Sequence, residues 1–353
     1  MNLAASGFFP MRKLLNTLYV TTPESYLHRD GKNVVIKVGN EERFRIPVYN
    51  LEGIVCFNYM GVSPHVMQLC SENNIGLSFL SPSGKFLGRV SGPVRGNVLL
   101  RRTQYRIADN SKASLDIAKC FILGKIVNCR MVLGRSIRDH SEKIRCDKIR
   151  NADNLLINNL MKIEGCTSVD ELRGIEGNCA KYYFSVLDEL ILRQKNDFFI
   201  HERNRRPPLD NMNALLSFLY TLLAHDVESA LETIGLDPYV GFFHADRPGR
   251  AGLALDMMEE LRPFLADRLA LNLVNLQQVC SDNFLKKGGG GVILTDEGRK
   301  TVLGSWQKRK QDEIIHSYLN EKVSIGLLPY VQSMLMARFL RGDIDGYPPF
   351  FMN

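Results

Sequence analysis

The chain has 353 residues, of which 45% are hydrophobic, and its 45 Lys and Arg outnumber its 38 Asp and Glu, for a formal net charge of +7. This length suffices for two domains that each bury a core, and the excess of positive charge favours a polyanionic partner. A membrane role is disfavoured, because no window approaches the roughly 18 to 20 uninterrupted apolar residues that a membrane span needs.

The first residues argue against secretion. MNLAASGFFP carries no positive charge before its short apolar run, whereas a secretory signal begins with one. Because Met11 opens the well-patterned segment MRKLLNTLYV, we interpret residues 1–10 as an N-terminal extension. The eight cysteines form no CxxC pair and no zinc-like spacing, which indicates reduced and mostly buried thiols. Such thiols are typical of a reducing cytoplasm, so we expect a cytoplasmic protein.

The pattern from residue 11 to residue 97 is that of short strands. Seven segments are rich in β-branched and aromatic residues and are separated by proline, Asp-Gly and Gly-Asn turn signals. They are TLYVT, YLHRD, NVVIKV, RFRIPV, GIVCFN, IGLSFL and KFLGRV, and the turn SPSG joins the last two. One short helix is predicted from Ser63 to Glu72, and the segment SGPVRGN marks the end of this β-rich domain.

From residue 98 to residue 353 the pattern is helical. Apolar residues recur three and four positions apart over six long segments. These are 103–138, 141–163, 168–196, 210–235, 251–278 and 295–322. The sequence therefore predicts an α+β protein with two domains, in which a small N-terminal β-rich domain precedes a larger all-α domain that carries the candidate catalytic residues.

The connection between the third and fourth helical segments is basic. Arg203, Arg205 and Arg206 run into Pro207-Pro208, which ends one element. Asp210 is placed to cap the helix that follows. We therefore expect an interhelical loop with a basic surface.

A second basic loop is rich in glycine. Lys286 and Lys287 precede four glycines at 288–291, and glycine loses more backbone freedom on folding than any other residue. This predicts a mobile loop. It is not a phosphate-binding loop, because no Gly-Lys-Ser/Thr follows and no helix is predicted to start there.

The segment HADRPGRAGLALDMMEELRP, at 244–263, places acids on a helix that otherwise has a core pattern. Asp256 lies three positions before Glu259 and four before Glu260, so either pair shares one helix face. The apolar run YVGFF delivers His244 to the loop before this helix, and the loop can turn the chain back toward it. Nitrogen and carboxylate oxygens that converge in this way are able to bind a divalent metal.

Ordinary explanations exist for each of these residues. The three acids are equally consistent with a solvated face paired with Arg262, and His244 with a satisfied core residue. A further acid comes from GIEGNCAKYYFSVL, where Glu176 lies on a helical run with an apolar face. An acid near a helix start is commonly stabilised by the helix dipole alone.

Three motifs together carry a family resemblance. In order and approximate spacing, GIEGNCAKYYF, PPLDNMNALLSFLYTLL and YVGFFHADRPGRAGLALDMMEELRPFLADR resemble CRISPR-associated protein one, the integrase of spacer acquisition, in its type I-C form. The resemblance implies that Glu176, His244 and Glu259 are metal ligands and that Asp256 supports them, so that these four form the catalytic set. By the same comparison Glu260 becomes a salt-bridge or surface residue. Asn178 and Cys179 depart from the small residues common in the family, which leaves the ligand set intact.

The chemistry that the resemblance implies is the transfer of a DNA strand. A 3′-hydroxyl of the new spacer attacks a phosphodiester of the repeat array and displaces another hydroxyl, so no ATP site is needed and none is visible. The implied cofactor is Mg²⁺ or Mn²⁺, with hard oxygens from two glutamates and a nitrogen that tolerates manganese.

Basic residues are candidates for contacts with double-stranded DNA. Arg247 and Arg250 flank the loop between ligand elements and are expected to neutralise phosphates. Further candidates for contacts along the DNA backbone are the loop arginines Arg203, Arg205 and Arg206, the pair Lys286 and Lys287, and the cluster Lys308-Arg309-Lys310, although such clusters are more often a solvated surface. Tyr182 and Tyr183 are expected to pack in the core rather than stack on bases.

The partners also follow from the resemblance. Similar proteins dimerise through the β-rich domain, and two dimers clamp CRISPR-associated protein two. Type I-C systems tend to encode an iron-sulfur nuclease that trims the incoming DNA. The setting is the cytoplasm of a prokaryote. Two other functions stay open, a metal-dependent nuclease on branched DNA and a non-catalytic DNA-binding scaffold.

Overall fold

The computed structural model describes residues 17–22, 24–51, 53–57, 61–73, 75–80, 86–90 and 98–352. These residues form two compact units, one before position 94 and one after it. The predicted N-terminal extension, the turn SPSG and the boundary segment SGPVRGN lie outside the described residues. Among the helices that are described, none has the length and apolar character that a bilayer crossing requires.

The first unit consists of two four-stranded sheets and one helix. The strands are β1 Thr17–Val20, β2 Ser25–Asp30, β3 Asn33–Val38, β4 Glu41–Pro47, β5 Gly53–Phe57, β6 Gly61–Val62, β7 Gly76–Leu80 and β8 Phe86–Val90, and the helix is α1 Pro64–Glu72. One sheet has the order β4-β3-β2-β6 and the other β1-β5-β7-β8. All seven predicted strands are therefore confirmed, and β6 is an addition too short to produce a sequence pattern.

Turn chemistry and apolar alternation explain this unit. Gly31 has a φ of +59° in the tight turn that joins the antiparallel strands β2 and β3, and glycine takes this left-handed conformation without steric cost. Leu27, Ile54 and Leu77, one from each of three strands, are fully buried in a shared core. Ser63 caps α1 by accepting a hydrogen bond from the amide of Val66 at 3.3 Å, which confirms the predicted helix.

The second unit is helical. Its helices are α2 Val98–Asp109, α3 Ser111–His140, α4 Cys146–Leu160, α5 Val169–Leu187, α6 Asn211–Ile234, α7 Gly252–Arg262, α8 Arg268–Asn275, α9 Asp296–Gln311 and α10 Leu328–Leu340, and a π-helical turn at Pro263–Asp267 joins α7 to α8. Two hairpins accompany them, β9 Phe284–Lys286 with β10 Val292–Leu294 and β11 Glu313–Ile315 with β12 Lys322–Ser324. The predicted order of a β-rich region before a helical domain is confirmed.

Several predicted helix ends are wrong. The segment 103–138 is broken at Asn110, whose extended backbone and side-chain oxygen cap α3 at the amides of Lys112 and Ala113. The segment 168–196 stops at Leu187, and the segment 295–322 stops at Gln311, before the second hairpin. Helix α10 was not predicted. Most of its own residues are buried, so its sequence has no polar face and therefore no amphipathic period.

The long helix α3 organises the second unit. It packs against α2, α4, α5 and α7, and Phe121, Ile122 and Ile126 on it are fully buried. Helices α5 and α7, which carry the predicted acids, therefore both pack against α3.

Candidate active site

A buried lysine joins the two helices that carry the predicted metal-binding glutamates. Lys125 on α3 forms an ion pair with Glu176 on α5, and its Nζ lies 2.7 Å from Oε2 of Glu259 on α7. The side chains of Lys125 and Glu259 are only 10% and 3% exposed. Two carboxylates that are far apart in the sequence thus converge on one positive charge.

Glu259 is held as a carboxylate by its neighbours. Burial opposes its ionisation, but the charges of Arg262 and Lys125 outweigh burial and lower the pKa of Glu259 to about 2. Its Oε1 accepts a hydrogen bond from Arg262, whereas Oε2 is buried and has no hydrogen-bond partner of proper geometry among the described residues. An oxygen of this kind has a lone pair to offer a cation.

The ammonium of Lys125 is also held in its charged form. Burial alone would lower the pKa of Lys125, but Glu259 and Glu176 together raise it above its ordinary value. Lys125 was not among the predicted site residues. A signal existed, because a lone lysine in the apolar stretch FILGKIVNC is costly to bury unless an acid pairs with it.

Asp256 binds the segment that carries His244. Its Oδ2 accepts hydrogen bonds from the amides of Phe242 and Phe243 at 2.7 and 2.9 Å. Its Oδ1 accepts from the amide of His244 at 2.9 Å and contacts Nδ1 of the same residue at 2.6 Å. Asp256 is fully buried and lies three residues, about one helical turn, before Glu259 on α7. It holds His244 near enough to Glu259 for the charge of the imidazole to help lower the pKa of that glutamate.

Gly241 makes this close approach possible. A Cβ atom at this position would lie 2.7 Å from Oδ2 of Asp256 and 2.8 Å from the backbone of Gly252. Any larger residue would therefore push the His244 segment away from α7.

Arg173 ties the same segment to α5. Its guanidinium donates to the carbonyl oxygen of Phe243 at 2.8 Å and lies 5.9 Å from the centre of the Phe243 ring. Arg173 precedes Glu176 by three residues on α5, so it sits on the same helix face. This arginine, which the sequence analysis also missed, brings the Glu176 and His244 elements together.

The ordinary explanations describe these residues only in part. Asp256, Glu259 and Glu260 are all buried, so they do not form a solvated helix face, although Glu259 does pair with Arg262. Glu176 is the eighth residue of α5, beyond the first turn in which the helix dipole stabilises an acid.

The expectation that Glu260 is a salt-bridge or surface residue is wrong. Its Oε1 accepts from Gln332 Nε2 at 2.9 Å and from Tyr347 Oη at 2.5 Å, and its Oε2 accepts from the amide of Phe350 at 2.9 Å. Burial raises the pKa of Glu260 to about 7, against the opposing effect of these hydrogen bonds. Glu260 therefore anchors the C-terminal segment to α7.

The donor set fits a hard divalent cation. Glu176 and Glu259 reach one cationic group, the ammonium of Lys125, and supply carboxylate oxygens of the kind that Mg²⁺ and Mn²⁺ prefer. His244, positioned by Asp256, is the predicted nitrogen ligand. In the part of the chain that the structure describes, no three His, Cys, Asp or Glu side chains are grouped as a ready set of metal ligands.

Four arginines lie near this site and interact electrostatically. Arg247 is exposed and Arg250 is half-buried in the loop before α7. Burial lowers the pKa of Arg250, and the positive charges of Arg247, Arg173 and Arg206 lower it further against the opposing charge of Asp256. Arg206 and Arg205 are exposed as well, so the two loops bring exposed positive charge near Arg250.

Arg203 differs from its two neighbours. Its NH1 donates to Asn213 Oδ1 at 2.7 Å and its NH2 to Ser217 Oγ at 3.1 Å, while the guanidinium lies 5.3 Å from the ring of Tyr220. It braces the start of α6, whose cap is Asp210 as predicted.

The glycine-rich segment forms the turn of the β9–β10 hairpin. Lys286 and Lys287 are exposed on it, and the amide of Val292 donates to the carbonyl oxygen of Pro208 at 2.8 Å. A strand rather than a helix follows the glycines, in agreement with the prediction that this is not a phosphate-binding loop. The hairpin adjoins the Arg203–Arg206 loop.

The remaining predictions concern α9, α5 and the thiols. Lys310 is buried, and its Nζ lies 3.0 Å from Oδ2 of Asp226. The guanidinium of Arg309 lies 5.0 Å from the ring centre of Phe264. Of the predicted cluster at 308–310, Lys308 is the exposed residue.

Tyr183 is buried as predicted. Five of the eight cysteines are buried, which confirms the expected, mostly buried thiols.

The sequence is similar to that of known CRISPR proteins. The family model described as CRISPR associated protein Cas1 matches residues 18–308. A CRISPR-associated endonuclease Cas1 of Chlorobaculum tepidum is 48% identical over 340 residues, which cover 96% of this chain and 99% of the relative. A second such endonuclease, from Rhodospirillum rubrum, is 49% identical over 345 residues, which cover 97% of this chain and 99% of the relative.

Solved structures share the fold. A Cas1 protein from Thermotoga maritima superposes with a TM-score of 0.80 over 93% of this chain and 97% of that chain, at 26% identity. A chain of a complex described as Cas6-RT-Cas1–Cas2 superposes with a TM-score of 0.78 over 97% of this chain and 36% of its own length. Its identity of 21% supports likeness of fold alone.

Proposed function

Because this chain belongs to the Cas1 family of CRISPR-associated proteins, we propose that it is a metal-dependent DNA integrase of CRISPR adaptation. It joins the 3′-hydroxyl ends of new spacer DNA to the repeat array by transesterification. The observation that carries the proposal is the convergence of Glu176 and Glu259 on one cationic position, with His244 held alongside by Asp256. The assignment to a type I-C system rests on the sequence resemblance.

The chain's own residues have separate roles in this reaction. Glu176 and Glu259 would be the oxygen ligands and His244 would be the nitrogen ligand of Mg²⁺ or Mn²⁺. When bound, the ion would supply positive charge that favours deprotonation of the attacking hydroxyl and offsets the additional negative charge on phosphorus. Asp256 orients the imidazole through Nδ1, so Nε2 would be the atom that binds the metal.

Phosphate contacts fall to the exposed arginines. Arg247 and Arg250 lie in the loop between the ligand elements, and Arg205 and Arg206 lie near them. We assign these residues, with Lys286 and Lys287 of the neighbouring hairpin, to the backbone of double-stranded DNA. Arg203 belongs to the same predicted set, but most of its hydrogen-bonding capacity is used inside the fold.

The partners belong to the proposal as well. We propose a homodimer formed through the β-rich domain of residues 11–97, with the helical domain of residues 98–353 as the catalytic part. Two dimers clamp the Cas2 protein, in line with the Cas1–Cas2 complex that shares this fold. An iron-sulfur trimming nuclease is a further partner, and the prokaryotic cytoplasm is the setting.

Hydrolysis of branched DNA is the second candidate, since the relatives named above are called endonucleases. It would use the same ligands with water in place of the hydroxyl. Donor DNA with blocked 3′ ends separates the two reactions, because blocking stops integration and spares hydrolysis.

The deciding experiment is integration in vitro. A short duplex and a supercoiled plasmid with a repeat are incubated with this protein and purified Cas2, in Mg²⁺, in Mn²⁺ or in chelator. Covalent joining of the duplex to the plasmid in metal but not in chelator is expected. Equal DNA binding in all three conditions without joining would instead identify a non-catalytic scaffold.

A further inference from the structure

We propose that Lys125 and a divalent cation compete for the same two carboxylates, Glu176 and Glu259, so that metal binding must displace the lysine ammonium. This inference rests on the proposed metal site. It makes Lys125 a positioning residue that holds the two ligand helices together and sets the affinity of the site for metal.

The geometry leaves little room for both cations. A single Nζ contacts Glu176 and also lies 2.7 Å from Oε2 of Glu259. Oε1 of Glu259 is already engaged by Arg262, so Oε2 is the oxygen that remains for a metal. Two positive groups on the same oxygens repel strongly in a buried site, because the surroundings screen charge poorly.

Burial makes the exchange costly. Lys125 is buried, as are Ile122, Ile126 and Cys129 beside it on α3. A buried charge that loses its partner is strongly unfavourable, so the displaced ammonium requires another anion.

A neighbouring cavity is lined by Lys125 and Arg262, by the exposed Arg205 and by the acid Asp267. The cavity has room for about one water molecule, so Asp267 is the anion that the ammonium meets inside the fold. A phosphodiester of bound DNA would lie outside the cavity, beside Arg205, and bring further negative charge near the ammonium. Metal and DNA should then bind with positive coupling, because the charge of the phosphate offsets that of the ammonium that the metal releases.

Metal affinity tests the exchange without relying on activity. Mn²⁺ binding is measured by calorimetry on the full chain for wild type, Lys125→Met and the control Lys112→Met, an exposed lysine on the same helix α3. We expect Lys125→Met to bind Mn²⁺ at least about tenfold more tightly, since no ion pair has to be broken first. Wild type and Lys112→Met should have equal affinity.

Stability and coupling give independent readouts. Mn²⁺ should raise the Tm of Lys125→Met more than that of wild type, and a short DNA duplex should tighten Mn²⁺ binding in wild type but not in Lys125→Met. If the methionine variant does not fold, Lys125→Gln, whose amide can still donate to one carboxylate, provides the same comparison.

The outcomes separate this inference from the proposed function. Mn²⁺ binding by wild type that is as tight as, or tighter than, that of the neutral variants overturns the competition and leaves the metal site in place. Absence of Mn²⁺ binding from wild type and every variant overturns both.

Discussion

Nδ1 of His244 lies 2.6 Å from Oδ1 of Asp256, and the same carboxylate accepts the backbone amides of Phe242, Phe243 and His244. A carboxylate that accepts from all four nitrogens requires the proton on Nδ1, which leaves the lone pair of the imidazole on Nε2. One buried acid thus fixes both the path of the chain and the tautomer of its histidine.

Asp256→Asn should impair the reaction while His244 remains in place. The amide nitrogen of asparagine cannot accept a hydrogen bond, so at least one donor in the segment loses its partner and the imidazole loses its orientation. We expect integration and Mn²⁺ affinity to fall by about 10- to 100-fold. Strand-transfer assays and calorimetry measure the two effects, and unaltered values in both would show that the carboxylate serves the fold alone.

His244→Ala is the cleanest test of the ligand set. It removes the imidazole but keeps all three backbone hydrogen bonds to Asp256, so integration should be lost while the Tm stays close to that of wild type. Normal integration by this variant in Mg²⁺ or Mn²⁺ would contradict the assignment.

Alanine at Glu259 should act differently from alanine at His244. Glu259→Ala leaves the buried cations Lys125 and Arg262 without their shared carboxylate. We expect it to abolish integration and also to destabilise the fold, by about 3–5 kcal/mol. Urea unfolding separates the effects, and a variant as stable as wild type would show that the two cations find other partners.

The arginines of the ligand loop should set the salt dependence of DNA binding. When the logarithm of the binding constant is plotted against the logarithm of salt concentration, each phosphate contact contributes about −0.9 to the slope. Replacing Arg247 and Arg250 by glutamine should therefore reduce the slope by about 2 if each contacts one phosphate. Arg150→Gln, an exposed arginine on α4, is the control. Slopes that do not differ among the three proteins would count against phosphate contact.

Asp267 should make stability depend on pH. Burial raises its pKa to about 6 from the ordinary value of 3.8, although the hydroxyl of Tyr220 donates to it at 2.7 Å. The folded state binds the proton of Asp267 more tightly than the unfolded state does. Protonation of Asp267 therefore contributes its full stabilisation below pH 3.8, and this stabilisation is lost as the pH rises through about 6. The full loss amounts to about 3 kcal/mol.

The matched variant is Asp267→Asn, which keeps an acceptor for Tyr220 and does not titrate. Its free energy of unfolding in urea should change less than that of wild type between acidic and neutral pH. Parallel pH profiles for the two proteins would place the titrating group elsewhere.

Glu260 should matter for stability through the C-terminal segment. Glu260→Ala leaves Gln332, Tyr347 and the amide of Phe350 without their acceptor. Each buried donor left unpaired costs about 1–3 kcal/mol, so unfolding in urea should shift strongly toward lower concentration. The exposed Glu297 on α9 offers a comparison, because its alanine variant should unfold almost as wild type does. A similarly small shift for Glu260→Ala would mean that the segment is held by other contacts.

The sequence determined the local structure of this protein and the candidates for its chemistry. Runs of β-branched and aromatic residues, turn residues and apolar spacing of three and four are properties of neighbouring positions. The seven strands could therefore be predicted, and so could helices α6 and α7. The motif around Glu176, His244 and Glu259 indicated the family, which the comparisons confirm. Helix ends were harder to predict. The apolar period continues on both sides of Asn110, so the period alone does not reveal that one helix ends there and the next begins.

Only the tertiary structure decided what each acid does. Helix α7 is buried almost all round, so its sequence has no polar face to tell Glu259 from Glu260, which are adjacent in the chain. Their environments come from residues that are distant in sequence, Lys125 and Glu176 on one side and the segment around Tyr347 on the other. The ionisation of a buried carboxyl depends on such contacts, and therefore its role cannot be read from helical spacing alone.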